Sequence, residues 1–177
     1  MIKLTSRIFL FTDLFEDINQ IFIHLQNAHW QFWGKANDEH IGEFTFIREN
    51  KDLSEIINSA NQRCLDQYMD ELNIDKTLHY NDGPDIYIRK WDYPMRGMDA
   101  HKDYTHDHDG NIKSIEYTLC GYLNDDYEGA LLEFPEYNLS IKMPAGSAIV
   151  FPSHELHQVT DLIDRHRYMW SSFVFKK

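Results

Sequence analysis

His101-Lys102-Asp103 sets an imidazole and a carboxylate two residues apart, and downstream stand His157 and then Arg167. In an extended segment residues i and i+2 share a face, so His101 and Asp103 can point together into a sandwich while Lys102 points out. One histidine from a distant strand would complete two imidazoles and a carboxylate on one face of an octahedron. Three adjacent positions then stay open, an arrangement suited to mononuclear Fe(II). Two of them fit a bidentate 2-oxo acid and the third fits dioxygen. Arginine is always charged and carries a planar fork, so Arg167 inside a sandwich needs an anion to hold, and the distal carboxylate of 2-oxoglutarate is one.

Rival donors lie close by. His106-Asp107-His108-Asp109 offers more imidazoles and carboxylates, but it runs straight into Gly110 and reads as a solvated hairpin loop. His154 competes with His157 for the third ligand position. His157 is followed by Gln158-Val159, as a residue entering a strand would be, whereas His154 sits in the Pro152-Ser153 turn. Arg165 shares the parity of Arg167 but falls within the charged Asp164–His166 turn, which favours exposure.

The elements that must position these groups fall into two halves. Leu4 to Phe11 reads as a short strand. Thr12 or Asp13 then looks like an N-cap before Leu14, Phe15, Ile18, Ile21, Phe22 and Leu25, the apolar stripe of a helix ending near Ala28. Residues 30 to 48 are aromatic and irregular, broken at Gly34 and Gly42, with a strand possible over Glu43 to Arg48. A second helix begins at Asp52, with Leu53, Ile56, Ile57, Ala60, Leu65, Tyr68, Met69 and Leu72 along one face. After the turn Asn81-Asp82-Gly83-Pro84 the pattern changes to alternation. Strands are expected over Asp85–Trp91, Ser114–Leu123, Ala130–Phe134, Leu139–Met143, Ala148–Phe151 and Tyr168–Phe175. Short strands without intervening helices predict an α+β, mainly β fold: a double-sheet β-sandwich or jelly roll with N-terminal supporting helices. No linker divides the chain, so one domain is expected over residues 1 to 177, with helical support to about 80 and the catalytic core over about 85 to 175.

Composition narrows the function. A formal charge of -12, from 17 basic and 29 acidic residues, opposes a nucleic-acid surface and suits a neutral or cationic substrate. Cys64 and Cys120 give neither a disulfide framework nor a zinc pattern, and both read as small core residues in a reducing compartment. The run Ile8-Phe9-Leu10-Phe11 is too short for a signal segment, and no stretch approaches a membrane span of about 20 apolar residues. A soluble, cytoplasmic protein is the expectation.

His101-x-Asp103, Thr118-x-x-x-Tyr122-Leu123-Asn124, Gly129-x-x-Leu132-x-Phe134, Pro144-x-Gly146-x-Ala148-x-x-Phe151-Pro152-Ser153-x-x-x-His157-x-Val159 and Arg167-Tyr168 occur in this order. Together they resemble the 2-oxoglutarate- and Fe(II)-dependent oxygenases of the prolyl 4-hydroxylase type, over about residues 85 to 175. Arg89-Lys90-Trp91-Asp92-Tyr93-Pro94 is similar to that family's strand before the ligand pair, where a tyrosine lines the cofactor pocket. The resemblance implies a double-stranded β-helix, with His101, Asp103 and His157 as iron ligands. It implies Arg167 as the partner of the distal carboxylate of 2-oxoglutarate, with Tyr122 and Thr118 donating hydroxyl hydrogen bonds to it and Tyr93 near the iron. Parity agrees, since Thr118, Cys120, Tyr122 and Asn124 share a strand face. The chain departs from the family at Ala130 and Leu131, where a second glycine and an acidic residue are usual.

The activity so implied is oxidative decarboxylation of 2-oxoglutarate to succinate and CO2, coupled to hydroxylation of an unactivated C–H bond by O2, with ascorbate as an auxiliary reductant. The implied substrate is a prolyl residue of a peptide or protein, and a free amino acid is the alternative. The stretch from Gly34 to Asn50 would discriminate, as an open groove or a closed pocket. A cupin-like metal enzyme that uses no 2-oxoglutarate, and a binding module that kept the sandwich, share the fold and lack a use for Arg167.

Overall fold

A computed structural model describes residues 1–33, 42–81, 86–106, 112–113 and 115–177. The strands are β1 (Ile2–Lys3), β2 (Phe9–Phe11), β3 (Gln31–Trp33), β4 (Gly42–Phe46), β5 (His79–Asn81), β6 (Tyr87–Trp91), β7 (Met98–His101), β8 (Thr105–His106) and β9 (Ile112–Lys113). They continue as β10 (Ile115–Tyr122), β11 (Glu128–Gly129), β12 (Leu132–Phe134), β13 (Leu139–Ile141), β14 (Ser147–Pro152), β15 (His157–Val159), β16 (Leu162–Asp164) and β17 (Arg167–Lys176). The helices are α1 (Asn19–Gln26) and α2 (Lys51–Glu71).

The larger sheet runs β1-β2-β14-β10-β17-β6-β4-β3, with β5 also paired to β17. Facing it is a smaller sheet, β13-β12-β15-β7, accompanied by the pair β11-β16. Pairings in both are antiparallel, and the fold is the expected jelly roll with helices on one side. Two apolar cores lie on opposite faces of the larger sheet. Ala148, Val150, Leu119, Trp170 and Val174 pack toward the helices. Ile149, Phe151, Tyr122 and Met169 pack toward the smaller sheet. Side chains alternate between faces along a strand, so a single register fills both cores.

Helix α2 starts where Asn50 accepts a hydrogen bond from the Leu53 amide at 3.0 Å, an N-cap with Asp52 in the first turn. It buries Leu53, Ile57, Leu65 and Met69, each worth roughly 1.5–3 kcal/mol of apolar burial. One polar side chain lies on the same face: Asn61 donates to Ser172 Oγ at 2.8 Å and accepts from Trp170 Nε1 at 3.4 Å, which pins the helix to β17.

Two of the expected N-terminal elements are corrected. Residues 4 to 11 are not one strand, because the Thr5 hydroxyl accepts from the amides of Arg7 and Ile8 and turns the chain, leaving β1 and β2 as a hairpin. The first helix begins at Asn19 rather than near Leu14. Asp13 has φ 57°, which no N-cap adopts, and the Leu14 amide donates to the Gly146 carbonyl at 3.0 Å. Leu14, Phe15 and Ile18 still pack against the helix-side core, so the apolar stripe reports burial there without helix. The strand expected over Ala130–Phe134 begins at Leu132, since Ala130 itself has φ 48°. The expected turn at Asp82-Gly83-Pro84 lies outside the described residues.

Gly121 on β10 faces the indole of Trp170, which is 0% exposed; a Cβ there would lie 2.1 Å from the ring. Gly121→Ala is expected to cost about 1–3 kcal/mol through overpacking, read as a lower urea midpoint with an unchanged slope.

Candidate metal centre and anion pocket

His101 ends β7 and His157 begins β15, and the two are direct cross-strand partners. Their rings lie 4.3 Å apart between centroids. Asp103 follows β7 and completes the group: its Oδ1 is 3.7 Å from His101 Nε2 and its Oδ2 is 3.7 Å from His157 Nε2. All three donor atoms lie within 4.8 Å of one another. Ligands about 2 Å from an ion stand about 3 Å apart on an octahedral face, so this triad needs only a small closure to bind one. The donor set of two imidazoles and one carboxylate fits Fe(II) with open positions. Here the iron would supply the activation of dioxygen.

The orientation of each imidazole is fixed from behind. His101 Nδ1 bonds the Asp99 carbonyl at 2.8 Å and His157 Nδ1 bonds the Glu155 carbonyl at 3.0 Å, which leaves both Nε2 atoms facing Asp103. Burial holds His157 below the ordinary imidazole range, against the upward pulls of Asp103 and the Glu155 carbonyl, with His101 adding to the depression. A neutral His157 is the form that can ligate a metal.

Asp103 is fixed on two sides. Its amide donates to the Ser153 carbonyl at 2.9 Å, and its Oδ2 accepts from the Thr118 hydroxyl at 2.6 Å. Thr118 Oγ1 also lies 2.8 Å from Ser153 Oγ. Having one proton, which it gives to Asp103, Thr118 accepts from Ser153. Thr118 lines the same cavity, and its hydroxyl is engaged by the triad carboxylate.

A cavity of about 220 Å³ runs from the triad to Arg167. Arg167 is 1% exposed. Its guanidinium lies 5.8 Å from the Trp91 ring centroid and 6.0 Å from that of Tyr122. Nη1 donates to the Ala130 carbonyl at 3.5 Å, while Nε is buried with no hydrogen-bond partner. Among the described residues no carboxylate pairs with Arg167, and its side chain lines the cavity. Burial raises the Tyr122 phenol well above its ordinary value, so it stays a neutral O–H donor.

Tyr93 is not brought to this cavity. It is 52% exposed and lines a separate surface cleft with Phe22 and Tyr168. Strand β6 ends at Trp91, and it is Trp91, opposite Arg167 in register, that walls the pocket. Strand parity alone could have found Trp91, which shares a face with Arg89, another lining residue. Ser153 and Leu132 also belong to the site or its support; both stood in the motifs of the resemblance without a role of their own. The rivals fall away as expected where they are described: His154 is 61% exposed, and Arg165 pairs with Asp126 at 3.2 Å on the surface. Of the His106–Asp109 group, His106 ends β8 in a hairpin with β9, and residues 107–111 lie outside the described residues. Cys64 is core, whereas Cys120 lines the cavity; burial pushes both thiols up to about 12, so neither is a thiolate.

Fold and site together define a jelly-roll protein built around a His-Asp-His metal triad with a buried arginine at the far end of its cavity. Residues 91–175 match the family model of the 2OG-Fe(II) oxygenase superfamily, a segment holding all three triad residues, Tyr122 and Arg167. A PKHD-type hydroxylase of Hyphomonas neptunium is 32% identical over 62 residues, which is 34% of this chain and 28% of that protein; the match thus spans under a third of the curated relative. The viral collagen prolyl hydroxylase of Paramecium bursaria Chlorella virus-1 shares the fold with a TM-score of 0.66 at 13% identity, over 97% of this chain and 96% of that one. A Pseudomonas putida prolyl-4-hydroxylase does so with a TM-score of 0.65 at 16% identity, over 98% and 94%. A Trichoplax adhaerens prolyl hydroxylase, solved with a hypoxia inducible factor peptide fragment, gives 0.66 at 16% identity, over 97% and 84%. The likeness to 2-oxoglutarate- and Fe(II)-dependent oxygenases is borne out, and the fold is one that prolyl hydroxylases share.

Among the described residues, no helix is long and apolar enough to cross a membrane. Thr118→Val removes the hydroxyl on Asp103 with little change in shape. It is expected to weaken Fe(II) binding about 10- to 100-fold, measured by anaerobic calorimetry.

Proposed function

We propose that the protein is a 2-oxoglutarate- and Fe(II)-dependent dioxygenase that hydroxylates a prolyl residue of a peptide or protein. The balance is substrate C–H, 2-oxoglutarate and O2 in, and substrate C–OH, succinate and CO2 out. One observation carries the reading: a guanidinium 1% exposed, without a carboxylate partner among the described residues, shares a single cavity with a two-histidine, one-carboxylate triad. A metal enzyme without an anionic cosubstrate would leave that charge buried and unmatched.

His101, Asp103 and His157 would hold the iron, and Arg167 with the Tyr122 hydroxyl would hold the distal carboxylate of 2-oxoglutarate. The iron supplies the oxidising chemistry; the chain binds, orients and excludes water. Trp91 and Tyr122 wall the closed end, so the cosubstrate enters with its distal carboxylate first and leaves its keto acid end at the triad. His101, whose side chain is 31% exposed against 7% for His157, marks the side from which the substrate approaches. Similarity to the peptide-bound Trichoplax adhaerens hydroxylase supports a peptide substrate, and the prolyl hydroxylases among the related folds support proline as the target.

Anaerobic addition of Fe(II) and then 2-oxoglutarate to the metal-free protein should give the weak visible charge-transfer band of a keto acid chelated to iron. Asp103→Ala should abolish the band, and its persistence there would remove Asp103 from the ligand set. Arg167→Leu should raise the 2-oxoglutarate requirement by about 2–5 kcal/mol of lost ion pairing while leaving the Fe(II) requirement little changed. Equal damage to both would count against its assigned role. Turnover of a free amino acid but not of proline-containing peptides would replace the peptide substrate with the small-molecule one.

A further inference from the structure

The two histidines of the triad are held by the same kind of bond but on very different supports. Asp99, whose carbonyl orients His101, has a side chain 88% exposed that reaches Arg96 at 3.3 Å. Glu155, whose carbonyl orients His157, is 4% exposed, a buried carboxylate in a chain of formal charge -12. Acidic side chains are seldom buried unless paired, and Glu155 is held from several directions. Its Oε2 accepts from the Tyr137 hydroxyl at 2.9 Å, and its Oε1 lies 3.6 Å from Arg7 Nη1 and 4.0 Å from His154 Nε2. Its own amide donates to the Pro152 carbonyl at 2.9 Å, closing the turn between β14 and β15. Arg7 is tethered in turn, its carbonyl accepting from the hydroxyl of Tyr68 on α2 at 2.9 Å.

A carbonyl in a turn orients an imidazole only as well as the turn itself is fixed. We infer that Glu155 is the positioning residue of the metal centre: its buried carboxylate, clamped by Tyr137 and Arg7, fixes the peptide whose carbonyl aims His157 at the metal. The clamp links the N-terminal hairpin and α2 to a ligand they do not touch. It rests on the metal-centre reading above and adds to it a residue outside the cavity that acts through His157.

The test is Mn(II) binding, followed by the loss of the free-ion EPR signal, in the full chain and its Glu155→Ala, Glu155→Gln and Tyr137→Phe variants. Glu155→Ala should weaken Mn(II) about 10- to 100-fold, as loss of support behind a ligand does. Glu155→Gln, which can still accept from Tyr137, should recover most of that loss, and Tyr137→Phe should fall between the two. The affinity for 2-oxoglutarate at saturating Mn(II) should stay within about two-fold, because Arg167 and Tyr122 belong to other elements. A merely structural Glu155 would lower the melting temperature of the metal-free protein and leave Mn(II) affinity unchanged in every variant, which overturns the inference. So would equal losses of Mn(II) and 2-oxoglutarate affinity. If Glu155→Ala does not fold, unchanged affinity in both Tyr137→Phe and Glu155→Gln overturns it as well. Failure of the wild-type chain to bind Mn(II) would instead sink the metal-centre reading itself.

Discussion

The larger sheet is covered on both faces, and this double burial is the constraint on which the site depends. On β10, Leu119 faces the helices, as does Leu123 just past its end, while Tyr122 faces the smaller sheet. On β17, Trp170 and Val174 face the helices while Met169 faces the other core. Residues of the second parity, Thr118, Cys120 and Tyr122 on β10 and Arg167, Met169 and Ser171 on β17, are the ones that line the cavity. A slip of one residue would put Arg167 among the helices and Trp170 in the cavity, so the packing of the two cores and the placement of the site are one requirement. The close approach of Gly121 to the Trp170 indole locks that register where the strands meet.

Along the cavity the chemistry is graded. At one end the triad offers neutral and anionic donors to a cation, with His101 partly open to solvent and His157 buried against Phe134 and Phe151. At the other end Arg167 is sealed by aromatic faces, where low polarity strengthens any ion pair it forms. A dicarboxylate with a keto group beside one of its carboxylates would match this gradient in one orientation, its plain carboxylate at Arg167. The Thr118 and Ser153 hydroxyls beside the triad are taken up in the Ser153–Thr118–Asp103 relay that holds the triad's carboxylate.

Buried polar groups of this kind stabilise little by themselves, and their value lies in orientation. Asn61 between α2 and β17, the Thr118 relay and the Glu155 clamp each join elements far apart in sequence. Each replaces water by a fixed partner at a point where an apolar contact would leave the geometry loose.

Much of this was legible in the sequence, and the reason is periodicity. Alternation of residue types marked β10, β14 and β17, the 3.6-residue stripe marked α2, and the spacing of His101 and Asp103 put both on one face. Types and spacing likewise put forward His157 ahead of its rival His154, and Arg167 as a charge that a sandwich interior must match; the structure places His157 at the start of β15 and buries Arg167. Only the tertiary structure decided what depends on neighbours distant in the chain. The stripe from Leu14 to Ile18 packs half-buried against the core without being helical, since the Gly146 carbonyl takes its first amide. Thr118 serves Asp103 because Ser153 arrives beside it, and Trp91 rather than Tyr93 walls the pocket because β6 ends where β17 begins. A local pattern states which face a side chain takes; which partner waits on that face is settled by strand pairing, and pairing is a property of the folded chain.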